Sequence, residues 1–298
     1  MLDWCWPNWW GAHVQGDGTP LVTARRVAAH RLAFERPSVP FGDPAADEAL
    51  ARDVAGGETG ATGAMVTYLR GRTAFFDRVV VHAIERGVPQ MVILGAGYDG
   101  RALRFGAPEV RWWEVDHPDT QRDKRSRLER LGVAADQVAF VPLDLRLGGL
   151  PDVLRRAGFD PDAPAQVLCE GVAVYLSPDV LERTLHGLRS LVTVGTRLAI
   201  SLGVQFGSVD GGTRRRRFDA AVASVGEAAL NHLTPDEGEA PLVRTRWRTA
   251  EVSDRARRAG FVVALPRWEP AGGPAPCPAC RARVGSSKGC CTGRRPTS

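Results

Sequence analysis

The chain has 298 residues, 44% of them hydrophobic and 24% charged, and a formal net charge of +5. That usage excludes wholesale disorder, and the length admits about two domains or one α/β domain with additions. The charge does not point to a nucleic-acid partner: Arg281, Arg283, Lys288, Arg294 and Arg295 supply the excess, and without them residues 1–276 hold 34 basic and 34 acidic side chains.

Residues 1–22 hold four of the eight tryptophans among glycines and prolines without periodicity, and are expected to be a disordered extension. They show neither a basic start nor an apolar stretch before a small-residue cleavage site. No apolar run approaches the roughly 20 residues of a membrane span, so the expected setting is the cytoplasm, without a membrane partner. From Thr23 to Pro37 a loose apolar spacing at Val27, His30, Leu32 and Phe34 predicts a helix. A second helix is expected over 44–54, a flexible break over 56–60, and a long helix over 68–86 with Phe75, Val79, His82 and Ala83 on one side.

From residue 90 the pattern alternates. Apolar runs at 91–97, 110–116, 138–144, 165–172 and 197–204 suit buried parallel strands, and helical segments at 119–131, 148–157 and 178–191 lie between them. Residues 248–259 read as a helix and 261–268 as a strand joining the sheet edge. The predicted fold is α/β, a doubly wound, mostly parallel sheet preceded by helices. In domains, this gives a helical cap over 23–88, a ligand-binding α/β domain over 89–269, and a basic Cys/Gly/Pro-rich tail over 270–298 that is too poor in large apolar residues to fold. The spacing Cys277-Pro-Ala-Cys280 is one that zinc ligands use, but Cys290 and Cys291 are adjacent, so no metal is expected. Arg214–Arg217 reads as a solvated basic run.

Four strand ends carry glycine or acid. Gly95-Ala96-Gly97 after the first permits a tight turn and close backbone approach to a ligand. The letters through Gly100 also match GxGxxG, with Asp116 at the spacing of a dinucleotide fingerprint, so an NAD-dependent oxidoreductase is one reading. Asp116 ends the second strand, where a carboxylate can accept both ribose hydroxyls, and Glu114 points to the same side. If Asp116 serves the ligand, Asp116→Ala leaves the ligand-free chain melting within a few degrees of wild type. His117 reads as part of the turn. Asp144-Leu145 after the third strand offers a carboxylate for an adenine amino group and an apolar wall for its ring. Glu170 ends the fourth.

The segments GRTAFFD (71–77), VILGAGYDGRALRF (92–105), WEVDHPDTQRDKRSRL (113–128), VPLDL (141–145) and EGVAVYLSPD (170–179) resemble the leucine carboxyl methyltransferase-like family. The similarity is strongest to its actinobacterial O-methyltransferase branch, which includes polyketide O-methyltransferases. It extends over about 23–265. It implies a class I methyltransferase sheet with an N-terminal helical cap, and S-adenosylmethionine as cofactor. By matching motif positions it implies that Arg72 holds the methionine carboxylate and that Gly95 and Gly97 line the turn under the methionine. It implies further that Asp116 takes the ribose, Asp144 and Leu145 the adenine, and Glu170 the methionine amino end. Where Gly100 stands the family usually has Thr. The expected function is O-methylation of a small-molecule carboxylate or phenol. Beside the dehydrogenase reading stands that of an inactive methyltransferase-fold binding protein. A carboxylate acceptor needs no general base, and a phenol benefits from one; Tyr175 and His186 are candidates only by nearness to the fourth strand.

Overall fold

The computed structural model describes residues 22–58, 64–202, 235–250 and 252–267. The tryptophan-rich start, the Arg214–Arg217 run, the cysteine pairs and the segment from 268 onward lie outside the described residues. Among those described, no helix is long and apolar enough to cross a membrane, and no group of three or more His, Cys, Asp or Glu is arranged to hold a metal ion.

Among the described residues three helices come first: α1 (Val22–Arg31), α2 (Pro44–Ala55) and α3 (Ala64–Glu85). The first ends at Arg31, short of Pro37, and residues 35–39 run irregularly because Arg36 turns inward to two carboxylates. The Asp43 side chain accepts the Ala46 amide to cap α2, and Gly56 closes that helix in the left-handed conformation. On α3 the buried stripe is Phe76, Val80 and Ala83 with Phe75; His82, expected on that stripe, is exposed beside Glu85.

The alternating part follows as β1 (Gln90–Leu94), α4 (Arg101–Arg104), β2 (Arg111–Asp116), α5 (Pro118–Arg130), β3 (Val138–Pro142), α6 (Leu150–Arg156), β4 (Ala165–Cys169), α7 (Pro178–Leu191) and β5 (Arg197–Ser201). Then come α8 (Pro235–Arg244), β6 (Trp247–Thr249), α9 (Asp254–Arg258) and β7 (Phe261–Pro266). The seven strands stand in the order β3-β2-β1-β4-β5-β7-β6, the first five parallel and β7 antiparallel to both neighbours. This is the doubly wound, mostly parallel sheet expected. Of the helix expected over 248–259, Asp254–Arg258 forms. Its first residues form β6 at the sheet edge, because the Trp247 indole is buried and donates to the Leu185 carbonyl at 3.1 Å while Arg248 pairs with Leu265. The strand at 261 therefore lies one place in from the edge.

Alternation along the strands divides the core. Val92, Leu94, Trp113 and Val167 pack under α6 and α7, and Met91, Ile93, Trp112 and Leu168 pack under α3. All five residues of β1 and of β4 are buried, which is why both read as apolar runs broken only by Gln90 and Gln166. The chain winds outward from β1 to β3 and then returns to place β4 on the other side of β1. The winding reverses between β1 and β4, so the crevice beyond their carboxyl ends is where such a sheet takes a ligand.

Candidate active site

The four glycine or acidic strand ends belong to adjacent strands, β3, β2, β1 and β4, and so line one edge of the sheet. After β1, Gly95 has φ +61° and Gly97 φ +48°, both left-handed. A Cβ on Gly95 would overlap the Val172 side chain. Only glycine satisfies both the turn and this contact. The Asp116 carboxylate is buried: Oδ2 accepts the Gly97 amide, and Oδ1 accepts the His117 amide at 2.6 Å. It thus ties the β1 turn to the β2 end. His117 caps α5, its Nδ1 accepting the Asp119 amide at 3.3 Å, which agrees with a turn residue. Glu114, deeper in β2, is buried against Lys124 Nζ at 2.5 Å. Burial raises its carboxyl pKa in spite of that ammonium.

Asp144 starts a single 3-10 turn, accepts the Arg146 amide at 2.9 Å and is gripped by the Arg146 guanidinium. Burial alone would raise its carboxyl pKa; Arg146 instead holds it below the ordinary value. Leu145 is half-buried beside it. Leu143, Leu145, Leu150, Arg183 and His186 line a cavity of about 270 Å³ on this side of the site.

At the β4 end Glu170 is surrounded by arginines. Arg72 Nε lies 2.9 Å from its Oε1, Arg101 Nη1 is 2.6 Å from its Oε2, and Arg31 Nη2 is 3.7 Å from Oε1. Gly171 has φ +71°, and a Cβ there would stand 3.0 Å from Arg72 Nη1, so the chain must pass this guanidinium as glycine. Tyr68, one helical turn before Arg72 on α3, sets its ring under that guanidinium at 5.7 Å.

The arginines continue inward. Arg101 joins Asp77 at 2.7 Å, Asp77 joins Arg36 at 2.8 Å, Arg36 joins Asp47 at 2.6 Å, and Asp47 joins Arg104 at 2.6 Å. Starting from Arg72, charges of alternating sign run through the protein beneath the site and tie α2, α3, α4 and, through Arg36, the segment after α1 to the end of β4. Burial raises the pKa of Asp77, but Arg101 and Arg36 outweigh it and hold the carboxyl below its ordinary value; Asp99 is held well below by Arg101 and Arg31. Each ion is costly to bury alone, and pairing with hydrogen bonds on every side is what makes the set tolerable. Gly100 belongs to this packing. A Cβ there would overlap the Asp47 carboxylate, so the glycine that completes the GxGxxG letters makes room for an ion pair.

The structure therefore brings Arg72, Gly95, Gly97, Asp116 and Glu170 together around the β1 and β4 ends, with Asp144 and Leu145 farther along the same edge. Sequence reasoning missed Arg101, Asp99, Asp77 and Arg31. The available signal was charge inside apolar context, as at Asp77 in FFDRVVV and at Arg101 and Arg104 in GRALRF.

Comparison with known proteins places these residues in context. The family model described as leucine carboxyl methyltransferase matches residues 19–189, more than half of the chain. A Mycobacterium avium (strain 104) protein named as an S-adenosyl-L-methionine-dependent methyltransferase is 35% identical over 196 residues, 64% of this chain and 60% of that protein. One from Frankia alni, named likewise, is 33% identical over 64% of this chain and 65% of its own length. The chain thus spans less than two thirds of these relatives. A solved DUF574 family protein from Streptomyces avermitilis shares the fold with a TM-score of 0.51 at 17% identity, covering 82% of this chain and 97% of that one.

Proposed function

The chain belongs to the leucine carboxyl methyltransferase family, and from that premise we propose that it is an S-adenosylmethionine-dependent methyltransferase that transfers the methyl group to an oxygen of a small-molecule acceptor, a carboxylate or a phenol. The observation that supports this most is the juxtaposition of Arg72 and Glu170, 2.9 Å apart at the β4 end, beside the glycine turn after β1. The amino-acid end of the cofactor carries one carboxylate and one ammonium. A guanidinium and a carboxylate side by side are its complement, so the residues present fit the group.

Bound there, the cofactor supplies an electrophilic methyl group on its sulfonium. Arg72 exchanges Glu170 for the methionine carboxylate, and Glu170 turns the freed oxygen to the ammonium. Gly95 and Gly97 let the backbone pass beneath the methionine. Asp116, at the end of β2 beside the glycine turn, takes the ribose hydroxyls. Asp144 accepts from the adenine amino group, sharing its carboxylate with Arg146, and Leu145 covers the ring.

The helices of 23–88 serve as a cap and 89–269 as the cofactor domain. The task of the protein is to align acceptor oxygen, methyl and sulfur and to exclude water. A carboxylate acceptor arrives ionised and needs no base. For a phenol, Tyr175 and His186 are the candidates for the base; Tyr175 follows the β4 end, and His186 lines the cavity beside Leu145. The dinucleotide reading loses its motif, since Gly100 is accounted for by Asp47.

Calorimetric titration tests the cofactor. S-adenosylmethionine is expected to bind at micromolar Kd, about −8 kcal/mol. Saturable NADH binding without response to S-adenosylhomocysteine would overturn the assignment. Transfer of labelled methyl groups to a panel of carboxylic acids and phenols tests the acceptor; exclusive methylation of nitrogen or sulfur acceptors would refute oxygen as the target.

A further inference from the structure

Glu170 cannot keep all its present partners when the amino-acid end of the cofactor arrives. Arg72 holds Oε1 at 2.9 Å, and a methionine carboxylate competes for that same guanidinium. Arg31 reaches Oε1 only at 3.7 Å, beyond hydrogen-bonding distance. Arg101 alone of the three bonds the other oxygen, Oε2, at 2.6 Å, and that bond stands whatever occupies Oε1. Arg101 itself has little freedom. Its side chain is fully buried, Nε donates to Asp77 Oδ1 at 2.7 Å, Nη1 lies 2.5 Å from Asp99 Oδ2, and the Phe76 ring lies 5.8 Å from the guanidinium carbon. Its backbone amide donates to Asp99 Oδ1 at 2.9 Å, which fixes the start of α4 as well.

Resting on the reading that the amino-acid end of S-adenosylmethionine lies at the β4 end, we propose that Arg101 is a positioning residue for the cofactor: it grips Oε2 of Glu170 so that Oε1 is presented, as part of an ionised carboxylate, to the α-ammonium group. The planar fork of an arginine suits this task, because it can serve Asp77, Asp99 and Glu170 at once in one fixed orientation. The groups facing Glu170 agree. Burial raises its carboxyl pKa; Arg101 opposes this most strongly, then Arg72 and Arg31, with Asp99 pushing the other way, and the balance lies below the ordinary value. Tyr68 also faces Glu170 from α3, and its phenol, raised by burial, adds no charge at neutral pH. Once Arg72 turns to the methionine carboxylate, Arg101 is the close cation that keeps Glu170 ionised until the ammonium is in place.

The test is calorimetric titration of the full chain with S-adenosylhomocysteine and with 5′-methylthioadenosine, which keeps the adenosine and lacks the amino-acid end, between pH 5.5 and 8. The wild-type chain should bind S-adenosylhomocysteine with affinity constant to about twofold over that range, because Glu170 stays ionised. Arg101→Gln should weaken it about tenfold at pH 8 and about tenfold more by pH 5.5, while 5′-methylthioadenosine changes less than about twofold. Arg101→Lys should keep the flat pH profile with a loss of about threefold, since one ammonium cannot hold three carboxylates as the fork does. Equal weakening of both ligands in Arg101→Gln would overturn the positioning role and leave a structural one. So would wild-type affinity for S-adenosylhomocysteine in Arg101→Gln or, if that variant does not fold, in Arg101→Lys. A wild-type chain that binds neither ligand refutes the cofactor assignment itself, and one that binds both equally removes the amino-acid end from this place.

Discussion

Asp116→Ala should lower both stability and cofactor affinity, because the carboxylate holds two amides and is the proposed acceptor of the ribose hydroxyls. In the ligand-free chain its Oδ2 accepts the Gly97 amide and its Oδ1 the His117 amide at 2.6 Å, and the residue is 4% exposed. Alanine leaves both amides without an acceptor in a place that water reaches poorly. Hydrogen bonds to a charged group contribute about 1.5–3 kcal/mol each, so two of them amount to about 3–6 kcal/mol. In a domain of this size 1 kcal/mol shifts Tm by about 2–4 °C, so the ligand-free variant should melt about 10 °C below wild type. This corrects the expectation from sequence that the ligand-free chain would be nearly unaffected. Affinity for S-adenosylmethionine should fall by about 10- to 150-fold, from the lost charged acceptor of the ribose hydroxyls. Asp116→Asn keeps one acceptor oxygen and turns an NH2 toward the other amide, so it should lose less affinity than alanine. Differential scanning calorimetry without ligand and calorimetric titration at a temperature where the variant is folded give the two quantities separately. Melting within 2–3 °C of wild type would show that the amide contacts contribute no more than about 1 kcal/mol, and would refute the estimate. Unchanged affinity would remove Asp116 from the ribose site.

Three further outcomes follow from the buried charges and the glycine turn. Burial, then Arg70, Arg72 and Arg31, lower the pKa of His30 below 6.5, so the unfolded chain takes up a proton that the folded chain refuses, and stability should decline as pH falls from about 6.5. Asp77, Asp99 and Glu170 have folded pKa values below their unfolded ones, so their contribution is complete above about pH 4.5 and is lost as pH falls through the folded values. Urea midpoints from pH 8 to 3 should show both limbs; His30→Phe should abolish the upper one, and an identical upper limb in that variant would refute the assignment. Lys124→Met leaves Glu114 buried without its ammonium and should cost about 3–5 kcal/mol in urea unfolding, whereas the double variant with Glu114→Gln should recover much of it; no recovery would mean that the loss is one of packing. Gly95→Ala drives a Cβ into Val172 at a φ of +61° and should lower both Tm and cofactor affinity; adding Val172→Ala relieves the clash but not the backbone, so only partial recovery is expected, and full recovery would contradict the role given to the turn.

What the sequence determined by itself was the sheet and its ligand-facing edge. β1, β2, β4 and α7 are legible because their residues act through local periodicity: both faces of a central parallel strand are covered, so QMVIL and AQVLC are apolar apart from Gln90 and Gln166, and the buried positions of α7 recur at helical spacing. The strand ends are legible for the same reason, since glycine or acid after such a run marks where the buried strand stops. Arg72 and Glu170 stand 98 residues apart; the family motifs single both out, whereas their contact is a fact of the fold. The tertiary structure alone decided the rest. Trp247–Thr249 is a strand because β7 offers it an edge, although the letters that follow read as a helix. Asp47, Asp77, Arg36 and Arg101 look like solvated charges in their own segments and become a buried chain only when α2, α3, α4 and the segment after α1 converge. The worth of a charge depends on the partners and the dielectric around it, and both are set by residues far away in sequence; local spacing carries no record of them.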